Sequence, residues 1–242
     1  MPLHIHPTAD EVLHQLAQYV VGQAGQAIAA RGRFSVALSG GNSPKKLYEL
    51  LASPTYRSQV DWTKAYFFFG DERNVPPTDP ESNYGMAQTA LLAPLGITAA
   101  QVFAIDTSLQ PAEAARAYTR TIEAFFAPNQ ARFDLVLLGL GDNSHTASLF
   151  PHTPVLHDPS IGAREVFVAE KQAYRITLTA PLINQARAVA FLVYGADKAA
   201  AVQRVLTGPR DVDKFPAQLI APASEAQWFL DNAAASLMTK EQ

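Results

Sequence analysis

Residues 34–51, FSVALSGGNSPKKLYELL, pass from an apolar run through a glycine-bearing loop into an amphipathic stretch. That is the order strand, tight loop, helix. Ser43 suits an N-cap and Pro44 the first helical position, so the residues predict a strand over Phe34–Leu38 and a helix over Ser43–Ala52. Gly40 and Gly41 would let a ligand come close to the backbone. Free N–H groups at a helix start favour an anion such as phosphate. A plain strand-to-helix turn has the same spacing, and the stretch alone leaves both readings open.

The same alternation continues outward. Further strands are predicted at Ala65–Phe69, Val102–Ile105, Phe133–Leu138 and Ala188–Tyr194. Helices are predicted at Ala9–Ala30, Ser82–Ala93, Pro111–Phe126 and Ala196–Leu206. Runs such as LVLL and AFLV lack polar alternation, as strands buried on both faces do. The pattern implies an α/β fold with a mostly parallel sheet between layers of helices. Residues 164–170 and 174–179 alternate in polarity around a turn at Lys171–Ala173, which predicts a small antiparallel extension. No Pro-, Gly- or Ser-rich linker divides the chain, so residues 1–242 are read as a single domain.

Composition narrows the function. The 242 residues are 48% hydrophobic and 17% charged, a balance that suits a folded soluble protein. Cysteine is absent, which excludes disulfides, thiolate metal sites and a cysteine nucleophile. The start lacks a signal-peptide pattern and no apolar run reaches about 18 residues, so a cytoplasmic protein without a membrane partner is expected. A net charge of −3 with scattered Lys and Arg speaks against a nucleic-acid surface. An anionic ligand would need a local pocket of donors.

In open α/β sheets such a pocket forms at the carboxyl ends of the strands. The loops there read SGGNSP, GDERNVP, GLGDNSH and GADK, all polar and glycine-bearing. Asp71 and Glu72 are paired carboxylates able to do acid–base work, and Arg73 beside them could hold an anion; a solvated charged turn is the alternative. Asn83, at a helix start, could return to the same rim. Lys198, in the first turn of a predicted helix, opposes the helix dipole unless a bound phosphate supplies the negative charge. Arg175 could be a second phosphate donor or an ordinary edge-strand arginine. Trp228 is expected in the core, and the histidines at 4, 6, 14, 152 and 157 on the surface or in loops.

Two other readings of these loops are weak. ALSGG approximates a nucleophile elbow at Ser39, with Asp71 or Asp134 and then His145 in hydrolase order. The helix signal nevertheless starts three residues too late, and the strand comes too early in the chain. GLGDNS approximates a dinucleotide loop, but the acidic residue expected about 20 positions on is badly placed.

Taken together, LSGGNSPKKLYELL, FFFGDERNVP with ESNYGMA, DLVLLGLGDNSHTASLFP, YRITLTAPLINQA, FLVYGADKA, and FPAQLIAP with WFLDNAAA resemble the 6-phosphogluconolactonase family. They run in the family's order from about residue 34 to 235. The resemblance implies a Rossmann-like three-layer sandwich shared with glucosamine-6-phosphate deaminases. It also implies hydrolysis of 6-phospho-D-glucono-1,5-lactone in the oxidative pentose phosphate pathway, with no cofactor or metal. By the same resemblance His145 is the general base, Arg73 contacts substrate, and Lys198 and Arg175 bind phosphate. Ser39, Gly40, Gly41, Asn42, Ser43, Asp71 and Asn143 complete the expected substrate-binding set. The partner is a small phosphorylated lactone, and the chain a monomer or homodimer.

One departure stands out. Where the family commonly has Asp-Gly before the His-Thr pair, this chain has Asn143–Ser144. An amide can hydrogen-bond but cannot stabilise an imidazolium by charge. The related deaminases use an acidic residue matching position 143 and a glutamate matching Phe150, so the chain lacks the carboxylates that isomerisation needs. A non-catalytic sugar-phosphate binder of the same fold is the other alternative.

Overall fold

Apolar runs without alternation occupy the middle of the sheet. In the computed structural model, which describes residues 2–238, Phe34–Leu38 (β2), Leu135–Leu138 (β5) and Val189–Val193 (β8) are buried at every position. Met1 and residues 239–242, the ends of the predicted domain, lie outside the described residues. Strands β2, β5 and β8 form a six-stranded sheet with Leu3–His6 (β1), Ala65–Phe69 (β3) and Gln227–Asp231 (β9), in the order β1-β9-β8-β5-β2-β3. Every pairing in it is parallel.

Helices cover both faces: Ala9–Arg31 (α1), Asn42–Ala52 (α2), Asn83–Ala87 (α3), Pro111–Phe126 (α4), Ala180–Asn184 (α5) and Ala199–Leu206 (α6). Successive strand residues face opposite ways, and β3 makes use of this. Phe68 packs on Phe125 and Phe126 of α4, whereas Phe69 meets Tyr84 of α3 from the other side. The predicted three-layer α/β sandwich is therefore present.

The antiparallel extension is a separate sheet. Asp71–Arg73 (β4), Ala163–Val168 (β6) and Ala173–Leu178 (β7) pair in the order β4-β7-β6. Gly70 joins the two sheets, donating its N–H to Leu38 and accepting from the Leu178 N–H, both at 2.8 Å. The small sheet is thereby held at the carboxyl end of the large one.

Several expectations need correction. Val102–Ile105 is no strand: one bridge to Phe67 forms, and Phe103 then turns into the aromatic cluster and stacks on Phe68 at 4.5 Å. Three strands went unpredicted: β4, which the sequence reads as loop, and two in the large sheet. The edge strand β1 is short and alternates, with Leu3 and Ile5 exposed, so neither length nor apolarity marks it; it holds His4 and His6. Strand β9 contains Trp228, which is in the core as expected, stacked on Phe191 at 3.8 Å. The helix predicted over Ser82–Ala93 is α-helical to Ala87 and then a π-turn over Gln88–Leu92. That over Ala196–Leu206 begins as a 3₁₀ turn, Ala196–Lys198.

Candidate active site

The loops after β2, β3, β5 and β8 and the small sheet enclose a polar cleft of about 240 Å³. Ser39, Gly40, Gly41, Asn42, Ser43, Asp71, Arg73, His145, Arg175 and Lys198 all line it. Asn143 does not; it sits behind His145. Asn83, Thr146 and Tyr194 also reach the wall.

The first loop leaves β2 under the control of Tyr48, whose hydroxyl accepts from the Ser39 N–H (2.9 Å) and donates to the Ser39 carbonyl (2.8 Å). Burial raises the pKa of that phenol, so it remains a donor. Helix α2 starts earlier than predicted. Gly41, at φ 99°, is the N-cap, with Asn42 and Ser43 in the first turn, so Ser43 is not the cap and Pro44 not the first residue. A φ of that sign suits glycine, which displaces the cap from serine. No side chain caps this helix, and its first-turn N–H groups border the cleft. Gly40 is needed for another reason. A Cβ there would stand 1.8 Å from Asn83 Oδ1.

The paired carboxylates after β3 separate into different roles. Glu72 points away from the cleft and accepts from the N–H groups of Arg73, Asn83 and Tyr84 at 2.7–2.8 Å, anchoring the start of α3. Its burial pushes its pKa up even so. It is a structural anchor, and the acid–base pairing of Asp71 with Glu72 is not assembled. Asp71 accepts from Ser148 Oγ (2.6 Å) and Asn83 Nδ2 (3.3 Å) and lies 3.9 Å from Arg175 Nη1. Arg73 and Arg175 are register partners on β4 and β7, and Arg175 lies on the central strand of its sheet, not on an edge. Arg73 Nη1 donates to the Glu81 carbonyl. The Nε atoms of both arginines are buried and have no hydrogen-bond partner among the described residues. Such donors are costly unless something satisfies them.

The histidine loop is tightly turned. Ser144 adopts φ 65°, and its buried hydroxyl has no partner among the described residues. The turn brings the His145 ring over Gly141, where a Cβ would come within 2.0 Å of Nδ1. His145 Nδ1 lies 2.6 Å from Asn143 Oδ1, and the ring stacks on Phe150 at 4.0 Å. Burial above all, opposed by Asp71, lowers the His145 pKa to about 4, and Arg175 and Lys198 push in the same direction. The imidazole is neutral near pH 7.

Lys198 ends the 3₁₀ turn after Gly195 and pairs with Asp142 on the histidine loop, with Asp197 at 3.6 Å. The counter-charge that its helix position requires thus comes from Asp142. Arg204 Nη1 donates to the Asp142 carbonyl at 3.2 Å.

Neither weak reading of the loops survives. Asp134 lies at the opposite end of the sheet, Asp71 is bound to Ser148 and Asn83, and His145 is bound to Asn143, so no Ser–His–Asp relay forms at Ser39. The glycine loop 139–144 leads into turns and an isolated bridge from Thr146 to Leu149, with no helix start to receive a pyrophosphate. Sequence reasoning missed Tyr48 and Ser148 and the stacking role of Phe150. The first and last resemble core residues, and nothing local marks Ser148 as a partner of Asp71.

Residues 7–229 match the family described as glucosamine-6-phosphate isomerases/6-phosphogluconolactonase. The 6-phosphogluconolactonase of Synechocystis sp. is 44% identical over 86% of this chain and 86% of its own length. That of Nostoc sp. is 38% identical over 96% of each. The solved 6-phosphogluconolactonase from Trypanosoma cruzi superposes with a TM-score of 0.88 at 27% identity, covering 98% of this chain and 97% of the other. The chain belongs to the glucosamine-6-phosphate isomerase/6-phosphogluconolactonase family.

Proposed function

We propose that this chain is a 6-phosphogluconolactonase, hydrolysing 6-phospho-D-glucono-1,5-lactone to 6-phospho-D-gluconate in the oxidative pentose phosphate pathway. The observation that carries the reading is a neutral histidine, His145, lining a cleft that also holds Arg73, Arg175 and Lys198. Its relatives' names support the substrate.

A lactone is an activated ester, so a positioned water and a base suffice without a covalent nucleophile. Water attacks the carbonyl carbon while His145 takes its proton. The oxyanion of the tetrahedral intermediate is stabilised by Arg73 and by the backbone N–H groups of Gly40 and Gly41. The bond from carbon to ring oxygen then breaks, the imidazolium returns its proton to that oxygen, and the new carboxyl group ionises. Lys198 and Arg175 receive the phosphate, which takes over the Lys198 charge from Asp142. Ser39, Asn42, Ser43 and Asp71 contact the sugar.

The deaminase alternative wants carboxylates at positions 143 and 150. The amide of Asn143 and the ring of Phe150, both engaged with His145, favour the lactonase instead. A mere sugar-phosphate binder would need no base at the cleft. We read the enzyme as one catalytic domain over residues 1–242, cytoplasmic, a monomer or homodimer, working without cofactor or metal and without nucleic-acid or membrane partners. No helix among the described residues is long and apolar enough to cross a membrane.

The test follows 6-phosphogluconolactone loss above its spontaneous hydrolysis, with glucosamine 6-phosphate assayed in parallel. Catalysed lactone loss and no ammonia release are expected. Ammonia release without lactonase activity would overturn the reading in favour of the deaminase, and no turnover of either in favour of a binder.

A further inference from the structure

Asn143 Oδ1 receives two donors. One is the backbone N–H of His145, at 3.2 Å, and the other is Nδ1 of the same residue, at 2.6 Å. A backbone N–H can only donate, so the amide atom facing it is the oxygen and not the NH₂. An oxygen facing Nδ1 at that distance needs a proton on Nδ1. A neutral imidazole protonated there has its lone pair on Nε2. Among the described residues Nε2 has no hydrogen-bond partner, and the residue borders the cleft.

We propose that Asn143 is a positioning residue that fixes His145 in the Nδ1–H tautomer and leaves Nε2 as the atom that takes the proton from water. The inference rests on His145 being the base of the proposed hydrolysis. It assigns Asn143 a place behind the base, where sequence reading had placed it among the substrate contacts.

The consequence of an amide at this position is electrostatic. A carboxylate at the same place would hold the same tautomer and would also stabilise the protonated ring, raising its pKa. Asn143 supplies the geometry without the charge. Among the ring's charged neighbours, Asp71 on β4 and Asp142 on its own loop favour protonation, whereas Arg175 on β7 and Lys198 before α6 oppose it. Phe150, stacked on the ring, offers no charge and excludes water. Two backbone features make the arrangement possible. Ser144 at φ 65° reverses the chain so that the side chain of residue 143 lies beside the ring, and Gly141 leaves room for the ring.

Nitrogen-15 NMR of the ligand-free enzyme, with His145 assigned by comparison with His145→Ala, reads the tautomer directly. The kcat/KM profile against pH reads its chemical consequence. In the unsubstituted enzyme Nδ1 is expected to carry the proton and Nε2 to be bare. Asn143→Asp, an isosteric change, should keep that tautomer, remain active and move the acid limb upward by ~1–2 pH units. Asn143→Ala should lose the tautomer preference and lower kcat by ~10-fold or more with little change in KM. A proton on Nε2 in the unsubstituted enzyme, an Asn143→Asp limb that does not rise, or an Asn143→Ala variant with unaltered tautomer and kcat would each overturn the proposal. Should Asn143→Ala fail to fold, Asn143→Asp and the unsubstituted enzyme still decide. Full kcat in His145→Ala would instead defeat the base assignment, a failure the NMR result keeps separate.

Discussion

At the amino ends of the parallel strands, buried Asp134 accepts from Arg31 Nε (2.9 Å) and Nη2 (2.7 Å) and from the N–H and Oγ of Ser35 (both 2.8 Å). At the carboxyl ends, buried Asp71 is held by Ser148 and Asn83, but its arginine, Arg175, stands 3.9 Å away. There the Nε groups of Arg175 and Arg73 are buried and unmatched among the described residues. The first carboxylate meets its donors inside the fold, whereas the second leaves donors over. A buried donor without a partner costs about 1–3 kcal/mol. Both arginines line the cleft, which offers their charge to an anionic ligand. The two ends show how the same residue types can serve stability in one place and binding in another.

The largest expected effect belongs to the binding end. His145→Ala should lower kcat by ~10²–10⁴-fold while phosphate-ligand affinity stays near its original value; unchanged kcat would remove the base. Next come the cations. Lys198→Ala and Arg175→Ala should each raise KM for the phosphorylated lactone by ~10-fold or more, as loss of a charge-assisted contact does, and spare the unphosphorylated lactone. Equal losses on both substrates would show that these side chains do not read phosphate.

At the other end, Asp134→Ala should reduce stability by about 1–3 kcal/mol and leave kcat/KM of the folded enzyme unaltered, as denaturant melts and assays would report. Lost activity at unchanged stability would erase the contrast between the ends. The smallest effect is expected at Ser144→Gly. Glycine relieves the positive φ and removes the orphaned hydroxyl, so the melting curve should move up by about 1 kcal/mol. A destabilised variant would mean that the hydroxyl has a partner.

The pH dependence follows from His145. Its pKa falls from 6.5 in the unfolded chain to about 4 in the fold, so the folded state takes up a proton later as the pH drops. Stability therefore declines as pH falls through that interval, where the unfolded chain binds more protons, and the acid limb of kcat/KM lies near the lower value. A limb near 6.5, the ordinary histidine value, would contradict the buried, neutral ring.

Much of this was legible in the chain. Unalternating apolar runs announced the central strands, and polar glycine loops after them announced the rim, because both depend on local composition. The edge strand Leu3–His6 was not legible, since four alternating residues carry little signal and its pairing partner lies more than 220 residues away. Val102–Ile105 misled because β-prone residues were drawn instead into the aromatic cluster around Phe68. Glu72 looked like an acid–base partner of Asp71. Only the path of the chain into α3 reveals that its carboxylate is consumed by three N–H groups.

Residue order alone established the α/β class, the rim of loops, the family resemblance and the identity of His145 as candidate base, for these rest on periodicity and on short motifs. It also posed the question of an amide at position 143 without answering it. The answer depends on a φ of 65° at Ser144, on the space above Gly141 and on an oxygen 2.6 Å from Nδ1. Hydrogen-bond direction and desolvation are properties of atoms brought together in space, and only the folded chain brings those atoms together.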